Sequence, residues 1–342
     1  MSGPAFSADI ARAAAELAQG RLVAFPTETV YGLGADAENP RALAAIYQAK
    51  GRPRNHPVIV HVAPEADLSY WAAEVPDEAR RLIQAFWPGP LTLILKRAAH
   101  IPDTVSGGQD SIGLRCPSHP VAQALLRAFA ALKPGGQGGV AAPSANKFGQ
   151  VSATRAEHVR AEFPEQVAAG MTVLEGGASE VGIESTIIDV SRVAAGVGPV
   201  LLRPGHITPE HIAEATGLQP AAPDAAAPRA SGTLKAHYAP ATPLELADDA
   251  RLAAALRGEN LPPGRVVVVA YGPPPGQIDP RMHWRQVSAD PAAYAQGLYA
   301  VLRELDRQGY ARILLQAPPR NAAWRAVNDR IGRAAAAFEQ GL

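Results

Sequence analysis

The chain has 342 residues, 47% of them hydrophobic, and its 32 basic residues balance 32 acidic ones to a formal net charge of zero. That length accommodates two ordinary domains with a sizeable core, while the balanced charge excludes a non-specific nucleic-acid binder, so any handling of phosphate must be local. The single cysteine, Cys116, excludes an intramolecular disulfide and a cysteine-based zinc site and fits a reducing cytosol, and no apolar run approaches the roughly 20 residues a membrane span needs.

Residues 7–19 read as an amphipathic helix with Ser7 as N-cap and Gly20 as stop, not as a signal peptide. The apolar run 22–25 predicts a buried strand. It ends at Pro26 and is followed by Thr27, Glu28, Thr29 and Tyr31, then by Gly32 and Gly34, which allow a tight turn and close approach to a ligand. A helix over 40–50 has Asn39 as cap, Pro40 at its first position and Gly51 after its end, with Leu43, Ile46, Tyr47 and Lys50 on one face. Strands are expected at 57–63, 91–95 and 111–115, with Trp87-Pro88-Gly89-Pro90 as a rigid turn before the second. Next come a helix over 119–130 capped by Ser118, a short strand at 140–142, and a helix over 155–163 opened by a capping box of Thr154 and Glu157. Strands at 171–175, 185–190 and 199–203 and a short helix from Pro209 complete the first part. Residues 217–241 begin as a Pro/Ala-rich linker without periodicity but end in a segment rich in functional groups. A second alternation follows: strand 243–247, helix 249–257, strand 265–270, a short strand near 284–288, helix 291–308, strand 311–316 and helix 321–338. It predicts a small Rossmann-like α/β domain.

Chemistry-bearing residues recur at strand edges, where open α/β sheets bind ligands. Lys50-Gly51-Arg52-Pro53-Arg54-Asn55-His56 packs three fixed cations and a histidine into a proline-stiffened helix end, a fit for an anion because arginine binds phosphate bidentately. His61 shares a strand face with Ile59. Ser111, Gly113 and Arg115 share another by period two, with a gap at Gly113. Burying Arg115 requires an anionic partner, either a structural carboxylate or a ligand. Pro143-Ser144-Ala145-Asn146-Lys147 opens from a strand with Ser152 close behind, Glu184-Ser185-Thr186 opens another, and Arg203 ends a third. Phosphate-loop, nucleophile-elbow and His-Glu-x-x-His motifs are absent, so no covalent nucleophile stands out.

Taken in order, the segments Pro26–Gly34, Lys50–His61, Trp87–Leu95, Ser111–Pro120, Ala142–Asn146, Gly182–Asp189 and Leu201–Gly205 closely resemble the threonylcarbamoyl-AMP synthase family with its YrdC-type catalytic domain. The linker ending Lys235-Ala236-His237-Tyr238-Ala239-Pro240 and the second α/β domain resemble the long two-domain form. The resemblance implies an α/β architecture: a YrdC-like twisted mixed-sheet domain with a deep basic cavity over 1–212, a linker over 213–241 that reaches across the active site, and a Rossmann-like domain over 242–342. It implies that L-threonine, bicarbonate (or CO2) and ATP, with Mg2+ accompanying ATP, give threonylcarbamoyl-adenylate and pyrophosphate. The product would feed N6-threonylcarbamoyladenosine formation in tRNAs reading codons that start with A, through a downstream tRNA threonylcarbamoyl transferase machinery. Weak RNA contact, no membrane and a cytoplasmic location belong to the same expectation.

Carried over by position, the resemblance makes Lys50, Arg52, Ser144 and Asn146 the recurring polar tetrad. Threonine contacts fall on Thr29, His61, Arg115 and Ser185. ATP contacts fall on Arg52, His56, Ser111, Ala142 through its backbone, Ser144, Ser152, Arg203 and Tyr238. No metal ligand is assigned to a protein side chain. His56 stands where some members have Asn. The reaction implied needs no protein nucleophile: positioning and charge neutralisation bring a carbamate to the ATP α-phosphorus. Two other readings compete, a carbamoyl-transfer enzyme with a related domain and an RNA-binding module; the first usually carries a Cys-rich zinc finger, and the second an aromatic stacking platform.

Overall fold

The computed structural model describes residues 4–339, and contacts divide the chain into two units. The first comprises residues 1–148 and 152–233, the second residues 149–151 and 234–342. The first unit opens with helix α1 (Pro4–Ala18) and strands β1 (Val23–Phe25) and β2 (Gly32–Asp36). Helix α2 (Pro40–Lys50), strand β3 (Ile59–Val62), helices α3 (Leu68–Trp71) and α4 (Asp77–Phe86) and strands β4 (Leu91–Lys96) and β5 (Ser111–Arg115) follow. It continues through α5 (Pro120–Ala131), β6 (Gly139–Ala141), α6 (Ala156–Glu162), α7 (Pro164–Ala168), β7 (Thr172–Val173), β8 (Thr186–Asp189), β9 (Val200–Arg203) and α8 (Pro209–Thr216). The nine strands form one mixed sheet in the order β7-β1-β2-β6-β3-β5-β4-β8-β9. This is the mixed α/β sheet that the resemblance implies.

Two apolar layers hold the sheet. Leu43, Ile46 and Tyr47 of α2 and Leu82 of α4 pack with Val60, Leu93, Leu95 and Leu114 on one side. On another, Leu17 of α1 and Leu125, Leu126 and Phe129 of α5 pack with Val23, Phe25 and Val140. Helix α2 begins where Asn39 accepts from the amides of Arg41 and Ala42, and it ends at Gly51 in the left-handed region, φ 64°. The sequence-derived face of that helix is buried in full, Lys50 included.

Several local expectations are corrected. Ser7 lies inside α1 and does not cap it. Helix α5 is capped by His119, whose Nδ1 accepts from the Val121 amide at 3.2 Å, and not by Ser118. Thr154 and Glu157 form no capping box: α6 starts after Arg155 without a side-chain cap, while the Thr154 amide donates to His158 Nδ1 at 3.3 Å. Gly32 and Gly34 belong to a strand, not a turn. A Cβ at Gly34 would stand 2.8 Å from Val140 Cγ1 and 2.9 Å from Phe25 Cε1, so the space is filled by neighbouring strands and not by a ligand. The gap at Gly113 is filled as well, by Ile94 Cδ1 at 3.2 Å and Ile59 Cγ1 at 3.4 Å from the position of a Cβ.

The segment after α8 is anchored within the first unit despite its Pro/Ala-rich composition. Ala221 pairs in parallel with Val200 on β9. Arg192 holds Asp224 at 2.9 Å, and Gln109 brackets Arg229 by accepting from its amide at 2.6 Å and donating to its carbonyl at 3.1 Å.

The second unit contains β10 (Leu244–Ala247), α9 (Asp249–Leu256), β11 (Val266–Ala270), β12 (Met282–Gln286), α10 (Pro291–Asp306), β13 (Arg312–Gln316) and α11 (Arg325–Ala336). Its four strands are all parallel, in the order β10-β13-β11-β12. Val266 and Val268 of β11 and Leu314 of β13 pack with Leu252 and Ala255 of α9. This is the Rossmann-like layer expected from the alternation of short apolar runs and helices.

Candidate active site

The parallel pairing of β3 with β5 sets His61 directly beside Arg115. Both are buried, at 3% and 4% exposure. Burial and then the Arg115 charge push the His61 imidazole down to about 3, so it is neutral at physiological pH. Its Nδ1 is buried with no hydrogen-bond partner among the described residues. The anion that Arg115 requires is Glu28: Arg115 Nη2 donates to Glu28 Oε1 at 2.7 Å, with both side chains buried. The partner is thus a carboxylate of the chain itself. Thr29, fully buried next to it, shares a 2.9 Å hydroxyl contact with Thr27, whose hydroxyl donates to the Val30 carbonyl.

A second group forms where α2 ends. Lys50 is buried, and its ammonium donates to the backbone carbonyls of Ser144, at 2.6 Å, and Asn146. Burial, then the nearby Arg52 charge, holds its pKa well below the usual lysine range. The loop it grips is clamped on the other side by β2, where Gly32 bridges Ser144 and the Ala145 amide donates to the Tyr31 carbonyl at 2.8 Å. Arg52 Nη2 donates to the Pro57 carbonyl at 2.7 Å and to Ser231 Oγ at 3.0 Å. Its guanidinium lies 5.7 Å from the centre of the Phe148 ring, which His56 meets edge-on. Burial, with Arg52 and Arg229 nearby, lowers the His56 pKa from its ordinary value.

Ser231 joins this group to a third. Its carbonyl accepts from Arg203 Nη1 at 2.9 Å. Arg203 in turn donates through Nε to the Ser185 carbonyl at 3.0 Å and through Nη2 to Ser185 Oγ at 3.1 Å. Ser185 Oγ also meets Thr92 Oγ1 of β4 at 2.8 Å. Close in sequence, Glu184 accepts from Ser152 Oγ at 2.5 Å.

The structure therefore links Arg52 to Arg203 and Ser185, Lys50 to Ser144 and Asn146, and Arg115 to His61. Ser111 is buried at the opposite end of β5 from Arg115, ~13 Å away for a strand of this length. Ala142 is buried, and its amide is already used in a 2.9 Å bond to the Ile59 carbonyl. Tyr238 belongs to the second unit. There its ring stacks on Tyr299 at 5.8 Å and lies under the Arg330 guanidinium at 5.3 Å, with φ at 61°. The sequence marks the segment opening at Ser231 as rich in functional groups but assigns no role to Ser231, Glu28 or Thr92. The signal for Glu28 was indirect: an arginine on a strand buried on both faces demands an anion, but pattern alone does not say which one.

Comparison with known proteins completes the picture. The family described as "Telomere recombination" matches residues 15–205, and the one described as "Threonylcarbamoyl-AMP synthase, C-terminal domain" matches residues 207–336. The threonylcarbamoyl-AMP synthase of Pyrococcus abyssi is 34% identical over 337 residues, covering 94% of this chain and 92% of the relative. That of Bacillus subtilis is 40% identical over 244 residues, covering 70% of this chain and 66% of the relative. The crystal structure of Pyrococcus abyssi Sua5 complexed with L-threonine superposes with a TM-score of 0.81 at 32% identity, covering 97% of this chain and 95% of that one.

Proposed function

Since the chain belongs to the threonylcarbamoyl-AMP synthase family, we propose that it is a nucleotidyltransferase joining L-threonine, bicarbonate (or CO2) and ATP into threonylcarbamoyl-adenylate, with release of pyrophosphate and, from bicarbonate, of water. The observation that carries this reading is a pair of guanidinium stations in one unit: Arg115, held by Glu28 beside a neutral His61, and two guanidiniums, Arg52 and Arg203, sharing Ser231. A guanidinium with one edge taken by Glu28 still has N–H donors for a carboxylate, and two guanidiniums suit a polyphosphate.

In this reading Arg115 takes the threonine carboxylate, with Thr29, His61 and Ser185 around the substrate. Arg52 and Arg203 take phosphate charge, with His56, Ser111, Ser144, Ser152 and the Ala142 backbone as further ATP contacts. Asn146 and Ser144 sit on the loop that Lys50 shapes through two carbonyl bonds. An oxygen of the threonine carbamate attacks the α-phosphorus, and the bond to the bridging oxygen breaks, its electron pair leaving with pyrophosphate. Two anions must meet, so the protein supplies orientation, neutralising charge and exclusion of water, and no covalent intermediate. Among the described residues no group of three or more His, Cys, Asp and Glu is placed to hold a metal. In this reading magnesium enters with ATP, carried by its phosphates.

The product would pass to a tRNA threonylcarbamoyl transferase for N6-threonylcarbamoyladenosine formation in tRNAs reading codons that start with A, in the cytoplasm. Among the described residues no helix is long and apolar enough to cross a membrane.

Mass spectrometry of the protein with MgATP, bicarbonate and L-threonine tests the activity. A threonylcarbamoyl-adenylate peak is expected that vanishes without threonine and falls at least 100-fold in Arg52→Ala. No peak from folded wild-type protein, or an unchanged one in the variant, overturns the reading or the role of Arg52 respectively.

A further inference from the structure

We propose that Glu28 is the positioning residue for the amino-acid substrate: it turns the Arg115 guanidinium so that one amino group is presented to the substrate carboxylate. The inference rests on the reading of Arg115 as the carboxylate anchor.

The geometry is asymmetric. Arg115 Nη2 is held by Glu28 Oε1 at 2.7 Å, and Nε points to the Gly89 carbonyl at 3.4 Å. Nη1 has no protein partner among the described residues and is not among the sealed-off polar atoms. A guanidinium is planar, so fixing one edge fixes the direction of the rest. Glu28 is itself fixed at three points. Oε1 takes Arg115, Oε2 accepts from the Ser118 amide at 3.2 Å, and its backbone carbonyl accepts from the Val181 amide at 2.8 Å. The Glu28 side chain is 4% exposed, so the carboxylate is held away from water.

Charge supports the same assignment. An isolated buried arginine would be costly and would draw in any small anion, bicarbonate among them. Paired with Glu28, Arg115 contributes a formal charge of zero to its surroundings. His61, the neighbour across the strand pair, adds none because it is neutral. Binding at this station then depends on directed hydrogen bonds and less on bulk attraction, which favours a ligand that also satisfies neighbouring groups over a bare anion.

The test is steady-state kinetics on the full chain with threonine and ATP varied separately. Glu28→Gln keeps the size and loses the charge. It is expected to raise the threonine KM at least tenfold while the ATP KM and kcat stay within threefold. Glu28→Asp keeps the charge but withdraws it by one methylene, and an intermediate, several-fold rise is expected; it also serves if Glu28→Gln does not fold. Arg115→Lys separates the two layers. If it leaves the threonine KM unchanged, the underlying reading of Arg115 fails. If it raises that KM and the folded Glu28 variants do not, the positioning role alone is overturned. A parallel rise in the ATP KM would mark a merely structural role and would also overturn it.

Discussion

His61 shows how burial and charge set the behaviour of one residue. It lies beside a fixed cation in a buried strand pair, and its pKa falls to about 3 from an ordinary 6.5. Between those values the unfolded chain binds a proton at this position and the folded chain does not. Stability therefore rises with pH through the window, is complete above about 6.5, and is lost as pH falls, at roughly 1.4 kcal/mol per unit. Chemical denaturation of wild type and His61→Gln at pH 7.0 and 5.0 checks this: the wild type is expected to lose more stability than the variant on going to pH 5.0, by roughly 2 kcal/mol. Equal losses would contradict it. The neutral ring also bears on reactivity, because a histidine so hard to protonate offers one N–H donor and one acceptor nitrogen and takes up no second proton. Cys116, the residue directly after Arg115, is driven the other way, its thiol pushed up to about 12 by burial and the nearby Glu28 carboxylate; it is a packing residue, not a nucleophile.

At the scale of elements, strand β2 carries the sharpest lesson. Its sequence, Gly32-Leu33-Gly34-Ala35-Asp36, reads as a glycine-rich turn, yet it pairs antiparallel with both β1 and β6. The glycines are needed because Phe25 and Val140 press in from neighbouring strands. Gly34→Ala should cost about 1–3 kcal/mol through overpacking, read as a lowered urea midpoint with unchanged slope; an unaffected midpoint would show that Val140 and Phe25 yield freely. Helix α2 was legible because cap, first-position proline and terminal glycine all agree. The caps of α5 and α6 were not, since Ser118 and Thr154 have the right chemistry but each helix starts one residue later, after His119 and Arg155. The site was legible as a set of residue types at strand ends. Its wiring was not, because the links from Arg52 to Ser231 and from Arg115 to Glu28 span 179 and 87 residues. Local pattern carries no information on contacts of that separation.

For the whole molecule, composition suggested a spacer where the structure has a bound strap. Residues after α8 return to β9, to Gln109 and to the two arginines at Ser231 before the second unit begins at Leu234. The first unit thus ends at Thr233, about 20 residues beyond the boundary that alternation alone suggests. The bridge from Ala221 to Val200 has a further consequence. β9 is the last strand of its sheet, and at Ala221 the strap takes backbone hydrogen bonds from Leu201 and to Pro199 on an edge that a strand from another chain could otherwise use. At the other end β7 is only two residues long and offers little to pair with. By pairing at β9, the strap interrupts the continuous ladder that an added strand would need. A fragment ending at Gly217, which keeps α8 whole but lacks Ala221, is therefore expected to aggregate at concentrations where one ending at Thr233 remains monodisperse by light scattering. Equal dispersity of the two would show that the edge needs no guard.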